Sequence, residues 1–517
     1  MPIKSPDHSN ISAKLLSSFA RNHRGGIFIV LAFFVALFPL ADVLHSQVTA
    51  STLVSPSADF RPVGLSSENS LAGPSYLPLI FKQSENLPPI GPYRVNIPFF
   101  NGDVQFTETA IFWFGKVNLT ENYVDVRLGY TNEELYIRLA AFDRRLWYDT
   151  TPTPGELTAW DAASLYLDLD ANPGKTPGIT DYQFVGQLNW YESRTEFQTA
   201  YRGDGFGWVT APVPFTTLSR YRGDQPNNDV DDSGWTLTYR IPFASLGLEH
   251  PPLDGRVWGL AVTLHDRDNA AGTSIAAKSW PPAMSPGNPQ TWGQLAFGLP
   301  ARSTPPLTPS GTTTIRHGLN GAGVVDGMAG GGTTCGSGLD FWEEWGEANY
   351  AGASQVNVQN QFDVADWPCF SKVYITFPLD SIPPAVEVIS ATLTLYQFGN
   401  AGQESEVDPP ISLIQVFTIA DDWEETELNW NNAPLASQNI SRAWVEPISD
   451  DPGLPGAPRT WDVSQAVAEA LVAGTPLRLA LYSADGDYHS GKYFYSSDIG
   501  VWNAGGRPTL TVVWGNP

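Results

Sequence analysis

Beyond residue 96 the chain alternates apolar and polar positions in short runs bounded by turn residues. LYIRLAA at 135–141, SLYLDL at 164–169, WTLTYRI at 235–241 and VWGLAVTL at 257–264 fall in one region. KVYITF at 372–377, ATLTLY at 391–396, LRLALY at 477–482 and TLTVVW at 509–514 fall in another. A period of two over six to eight residues predicts half-buried β-strands with one face toward a core. The Pro- and Thr-rich stretch 299–312 (LPARSTPPLTPSGT) breaks the pattern as an interdomain linker does. Only 463–472 (VSQAVAEALV) carries helical spacing, with Gly474 placed to stop it. The prediction is an all-β protein: two β-sandwich domains of jelly-roll or Greek-key type in series, at 96–298 and 313–517, after an N-terminal apolar helix.

Ahead of the strands, Lys4, Lys14, Arg21 and Arg24 precede the uncharged run IFIVLAFFVALF at 27–38, and Val48-Thr49-Ala50 supplies small residues. Residues 1–50 therefore read as an export signal, either cleaved or retained as a signal anchor. Both readings place the remainder outside the cell, secreted or at the cell surface, with membrane anchoring through this segment in the second. Residues 51–95, rich in Ser, Pro, Gly and Asn without periodicity, read as a flexible linker.

Composition narrows the function. The 517 residues carry 29 Lys plus Arg against 54 Asp plus Glu, a net charge of −25. Such a surface repels phosphate backbones and excludes nucleic acid as a partner. The 18 Trp, 19 Tyr and 26 Phe with only 16% charged residues suit short strands, many turns and aromatic-rich surfaces, and the acidity leaves a neutral glycan and a bound Ca²⁺ both open. The two cysteines, Cys335 and Cys369, can pair as a disulfide in an oxidising compartment; two buried thiols or a metal pair are the alternatives.

Aromatic residues next to turns are the candidates for holding a pyranose against an apolar ring face: Trp160, Trp190, Tyr191, Trp208 and Trp280 in the first region. Trp342, Trp345, Tyr488, Tyr493 and Trp502 play that part in the second, where Trp423, Trp430 and Trp461 read as structural. Two acidic loops, DLDAN at 168–172 and NNDVDD at 227–232, space oxygen donors so that Asp168 with Asp170, or Asn227 with Asp229 and Asp231, can hold a structural Ca²⁺. No nucleophile elbow, HExxH or phosphate-binding glycine loop occurs, and no pair of carboxylates is singled out for glycoside hydrolysis. The expectation is a non-catalytic protein.

Several motifs occur in order in the first region: Glu134-Leu135-Tyr136-Ile137 leading to Asp143, Trp160-Asp161 followed by Leu165 to Asp170, Gly234-Trp235, Ile241-Pro242-Phe243, Trp258-Gly259 with Asp266 and Asp268, and Trp292-Gly293. Together they resemble the family 9 carbohydrate-binding module and its DOMON-like relatives. That resemblance implies a sugar slot between two tryptophans, to which Trp160 and Trp280 correspond by order, although Ser164-Leu165-Tyr166 stand where sugar-binding members commonly carry Glu. The second region, through Ser371 to Phe377, Ile389 to Leu393, Trp423-Glu424-Glu425, Leu428 to Pro434, Trp461 to Ser464, Ser496-Ser497-Asp498 and Arg507 to Leu510, resembles the DNRLRE domain, or family 96 carbohydrate-binding module. The two resemblances imply extracellular binding of a polysaccharide or other glycan by tandem modules, associated with polysaccharide catabolism. A structural cell-surface or adhesion protein, or a glycoside hydrolase, is the alternative.

Overall fold

The computed structural model describes residues 93–517 except 191–194, 274, 301, 362–367 and 403–408. The apolar helix, the export signal and the linker before residue 93 lie outside the described residues. Among the described residues no helix is long and apolar enough to cross a membrane.

The protein is all-β. A five-stranded sheet takes the order Ala110–Asn118, Glu121–Tyr130, Glu134–Phe142, Gly234–Pro242, Thr216–Arg222. Facing it, Gly293–Phe297, Val257–His265, Ala162–Asp168, Asp181–Gln187, Gln198–Gly203 and Trp208–Thr210 lie side by side. Phe112, Phe114, Val124, Val126, Leu165, Leu167, Leu260 and Val262 interdigitate between them as the core of a first sandwich. The second sandwich sets Val325–Gly330, Ser371–Phe377, Leu477–Ser483, Ser412–Ile419 and Ala436–Val445 against a sheet built on Glu387–Asn400. Its core includes Val373, Ile375, Leu393, Leu395, Leu479, Leu510 and Val512, which are the alternate residues of the predicted strands.

The sandwiches follow one another in sequence but are joined edge to edge. Strand Arg94–Ile97 runs parallel to Gly293–Phe297 on one side and meets Ala436–Val445 through Arg94 and Gln438 on the other, so a single thirteen-stranded sheet belongs to both. Asn96 and Asn439 lock this seam: the Asn96 backbone N–H donates to Asn439 Oδ1 (2.7 Å), and each side-chain amide donates to the other's carbonyl (2.7 and 2.8 Å).

The long sheet covers both faces of the five-stranded one. Phe112 and Phe114 point into the first core, whereas Ile111 and Trp113 pack with Tyr374, Phe417, Trp430 and Tyr482 of the second sandwich. This explains why 110–114 (AIFWF) reads as an unbroken apolar run: a strand buried on both faces has no polar side to show. The helix Ser464–Ala473 ends at Gly474, whose φ of 67° lets its N–H return to the Ala470 and Leu471 carbonyls. Cys335 and Cys369 form a disulfide, their Cα atoms 4.3 Å apart.

Candidate functional site

Trp280 ends the short strand Lys278–Trp280, which pairs antiparallel with Val257–His265 in a register that sets Trp280 opposite Val262. Directly paired residues point to the same side, and Val262 points into the core. Trp280 is accordingly 1% exposed, stacked on Phe112 at 4.0 Å, with Tyr93 edge-on at 6.0 Å. It offers no face to a ligand, so the expected slot between Trp160 and Trp280 is not built. Trp160 is half-buried beneath the Arg267 guanidinium, which sits 3.5 Å above its ring. Trp190 is exposed and leans on Tyr221 at 5.3 Å. Tyr191 lies outside the described residues.

Trp208 is placed differently. It opens the edge strand Trp208–Thr210, and its indole lies parallel to that of Trp292, with centroids 6.3 Å apart and planes within 2°. Tyr166 completes the cluster at 6.0 Å from Trp208 and 5.5 Å from Trp292. Both indoles are anchored: Trp208 Nε1 donates to the Pro286 carbonyl (3.1 Å) and Trp292 Nε1 to that of Ser285 (3.0 Å). Trp292 is buried behind Trp208, which remains half-exposed, and Phe206 at the hairpin tip beside it is almost wholly exposed.

This cluster lies on the outer face of the sheet, opposite the core. Leu165 and Leu167 point inward, so Ser164, Tyr166 and Asp168 point outward; by the same alternation Thr263 and His265 join them. The outer face also carries polar groups: Ser164 Oγ meets His265 Nε2 at 3.0 Å, Thr263 Oγ1 meets Ser279 Oγ at 3.0 Å, and Gln183 Nε2 donates to the Tyr166 hydroxyl at 3.3 Å. Burial lowers the His265 pKa to about 4, so its ring is neutral at physiological pH. The cleft beside Trp292, bounded by Asp168, Gln290 and Gln294, encloses only about 80 Å³. The face offers an aromatic surface rather than an enclosed pocket.

Of the residues predicted to hold a cation, Asp168 and Asp170 bring their carboxylates together beside Asp181, whereas Asn227 and Asp231 turn to separate partners. Asp168 Oδ1 accepts the Asp170 N–H (3.1 Å), and Asp170 accepts the Asn172 N–H (3.0 Å) and the Thr180 hydroxyl (3.2 Å). Asn227 Oδ1 accepts the Tyr148 N–H (2.8 Å), Asp231 pairs with Arg145 (2.9 Å) and Arg144 (3.4 Å), and Asp229 is exposed. The second loop uses its oxygens as turn and ion-pair partners, whereas Asp168 Oδ2 in the first is buried with no hydrogen-bond partner.

Among the described residues three carboxylates converge elsewhere: Asp143, Asp161 and Asp266 bring oxygens within 4.8 Å of one another, and all three are buried. Asp143 follows strand Glu134–Phe142, Asp161 precedes Ala162–Asp168, and Asp266 follows Val257–His265, so three strand ends meet at one rim of the first sandwich. Asp161 accepts the Trp147 N–H (2.6 Å) and the Arg267 N–H (2.9 Å); Asp143 accepts the Arg145 N–H (3.0 Å) and Trp235 Nε1–H (3.1 Å). Neither oxygen of Asp266, which is 7% exposed, meets a donor in hydrogen-bonding geometry, although the nearby Asn122 side chain and Arg267 backbone N–H partly offset the pKa rise that burial causes. Burial first and neighbouring carboxylates second raise all three pKa values, that of Asp266 to about 7. The sequence signal was present in Asp143, Asp161 and Asp266 as strand-terminal acids, but only the fold shows that the three ends coincide.

In the second sandwich Trp430 and Trp461 are core residues, and Trp461 Nε1 donates to the Ile414 carbonyl (3.0 Å). Trp345 is buried between the sandwiches, against Phe341 and Trp430. Tyr488 and Trp502 are exposed; Trp342 and Tyr493 are half-buried.

Residues 343–503 match carbohydrate-binding module family 96. This is the family that the motifs of the second region resemble, and the matched segment spans Trp345, Trp430, Trp461, Tyr493 and Trp502. Similar solved structures include a family 9 carbohydrate-binding module from Caldicellulosiruptor kristjanssonii in complex with cellotriose: 16% identity, 42% of this chain and 99% of that one covered, TM-score 0.29. A second is a family 9 module from the same organism in complex with glucose, at 16% identity, covering 41% of this chain and 100% of that one, TM-score 0.29. No curated protein matches the chain.

Proposed function

We propose that the protein is an exported, non-catalytic carbohydrate-binding protein whose first sandwich receives saccharide on the outer face around Trp208. The family 96 match over residues 343–503 supports carbohydrate binding as the function class. The observation that carries the site is the parallel Trp208–Trp292 pair with Tyr166 beside it. A half-exposed indole held from behind by a second one is a rigid apolar plate for the C–H face of a pyranose, and it stacks at little entropic cost. Export is supported by the charged and apolar leader pattern and by the Cys335–Cys369 disulfide.

The Asp143, Asp161 and Asp266 carboxylates suit a structural Ca²⁺. They supply hard oxygen donors, and a divalent cation at their focus would satisfy the orphaned oxygens of Asp266 and cancel the repulsion among the three. The same burial speaks against a hydrolase centre there, since glycoside hydrolysis needs two carboxylates facing substrate across an open cleft.

Isothermal titration calorimetry of the full chain against cello-, xylo- and manno-oligosaccharides tests the reading. Saturable binding to at least one, weakened about tenfold in Trp208→Ala, is the expected result. Absence of binding to all three, with and without Ca²⁺, overturns it.

A further inference from the structure

We infer that Lys372 and Asn360 join their side chains in an intramolecular isopeptide bond where the second sandwich faces the first, with Asp125 carrying the proton. Saccharide binding uses none of these three residues, and all three are buried.

Lys372 belongs to strand Ser371–Phe377, and Asn360 follows strand Gln355–Val358. The two segments are bridged antiparallel at Gln359 and Ser371, whose backbones exchange both hydrogen bonds (3.0 and 2.9 Å). Paired residues share a face and their chain neighbours take the other, so Asn360 and Lys372 leave the bridge on the same side. They are diagonal neighbours, a separation that a long side chain spans. On that side stands Asp125, from strand Glu121–Tyr130 of the first sandwich. The Asn360 amide donates to it (2.9 Å), and so does the Tyr123 hydroxyl (2.7 Å), which in turn receives a hydrogen bond from Lys372 Nζ (3.0 Å). One carboxylate thus touches the amide directly and the amine through a single hydroxyl.

The surroundings favour reaction between the two. Lys372 Nζ is packed 3.7 Å from the ring of Trp430 and 4.5 Å from that of Trp113, and burial lowers its pKa well below the lysine range, toward the neutral amine that acts as a nucleophile. Asn360 Oδ1 is buried and accepts no hydrogen bond, while Nδ2, the nitrogen that must leave, already lies against Asp125. The Arg127 guanidinium, 3.9 Å from Asp125, keeps positive charge beside the reacting groups. Attack of Lys372 Nζ on Asn360 Cγ forms the new C–N bond. The proton shed by the amine passes through the Tyr123 hydroxyl to Asp125 and on to Nδ2, the Cγ–Nδ2 bond breaks, and ammonia departs. No electrons are transferred, and Asp125 and Tyr123 end as they began. The product is a second covalent tie near the Cys335–Cys369 disulfide, one that a reductant does not open.

Peptide mapping of the purified full chain by tandem mass spectrometry, after reduction and chymotryptic digestion, tests this. The wild type is expected to yield a branched peptide joining residues 360 and 372, lighter than its sequence by one ammonia, about 17 Da. Lys372→Met is expected to lose the branch. Asp125→Asn, with its fold checked by near-UV circular dichroism, is expected to carry both side chains unjoined. Should Asp125→Asn not fold, the wild-type map and Lys372→Met still decide. A folded wild type that keeps unmodified Lys372 and Asn360 after prolonged incubation overturns the inference. So does a branch formed by loss of water, which would place the lysine on a carboxylate instead of Asn360. Undiminished joining in folded Asp125→Asn overturns the part given to Asp125.

Discussion

At the scale of single residues, two tryptophans that look alike in sequence are placed in opposite ways. Trp208 and Trp280 both sit in three-residue strands beside turns. What separates them is register: pairing with Val262 turns Trp280 into the core, whereas Trp208, at the sheet edge, turns outward onto Trp292. Trp280→Ala should therefore cost about 3–5 kcal/mol of stability, read from urea denaturation, with saccharide affinity of the folded fraction unchanged. Trp208→Ala should do the reverse, lowering affinity while shifting stability by less than about 1 kcal/mol. Equal effects of the two on affinity would contradict this division. The sequence could nominate both residues because composition and turn context are local. It could not sort them, because the face a side chain takes depends on which strand pairs with it and in what register.

At the scale of elements, alternation located the strands and Gly474 marked the helix end, since both signals are short-range. The acidic rim was not legible in that way. Asp143 and Asp161 are 18 residues apart in sequence and Asp266 lies more than a hundred further on; they meet because three strand ends share one edge. Asp266→Asn is expected to abolish Ca²⁺-dependent thermal stabilisation, while Asp170→Asn and Asp229→Asn leave it intact. For a wild type at a hundredfold excess of Ca²⁺ over its dissociation constant the stabilisation is about 2.7 kcal/mol. Calcium that raises the melting temperature of Asp266→Asn as much as that of the wild type would exclude the rim as its site. Strand Val325–Gly330 yields a separate prediction. Asp326 is buried, accepts the Ser497 N–H (2.7 Å), and has its pKa raised by desolvation to about 8. The folded chain keeps a proton that the unfolded chain releases. This group's contribution to stability is therefore greatest below about pH 4 and is lost as the pH rises from there to about 8. Asp326→Asn should flatten that part of the pH profile, narrowing the difference in melting temperature between pH 5 and pH 8; an unchanged difference would assign the pH dependence to other groups.

At the scale of the whole molecule, the feature that joins the sandwiches is a buried polar knot between the five-stranded sheet and the long sheet that wraps it. Asp125 accepts the Tyr123 hydroxyl (2.7 Å), the Asn360 amide (2.9 Å) and the Tyr482 hydroxyl (3.1 Å), with the Arg127 guanidinium 3.9 Å away. Lys372 donates to Tyr123 (3.0 Å) from among the rings of Trp430, Trp113 and Tyr482, and burial pushes its amine well below the usual lysine range. The two groups differ in how much depends on them. Asp125 is the buried acceptor on which donors from both sandwiches converge, and its removal leaves those buried donors unpaired. Asp125→Ala is expected to destabilise by about 3–5 kcal/mol. Lys372 donates one hydrogen bond and otherwise fills an aromatic cage, so Lys372→Met, which keeps the volume and sheds the amine, is expected to cost about 1 kcal/mol relative to the chain without the cross-link, well below Asp125→Ala. Because the knot and the apolar contacts around it bury residues from both sandwiches, the effect of Asp125→Ala should not be confined to one half of the chain. Differential scanning calorimetry of the wild type should show one cooperative transition, and Asp125→Ala should move all of it to lower temperature. Two resolved transitions in the wild type, with only the first displaced in the variant, would mean that each sandwich stands on its own core and that the wrapped sheet adds contact without cooperativity.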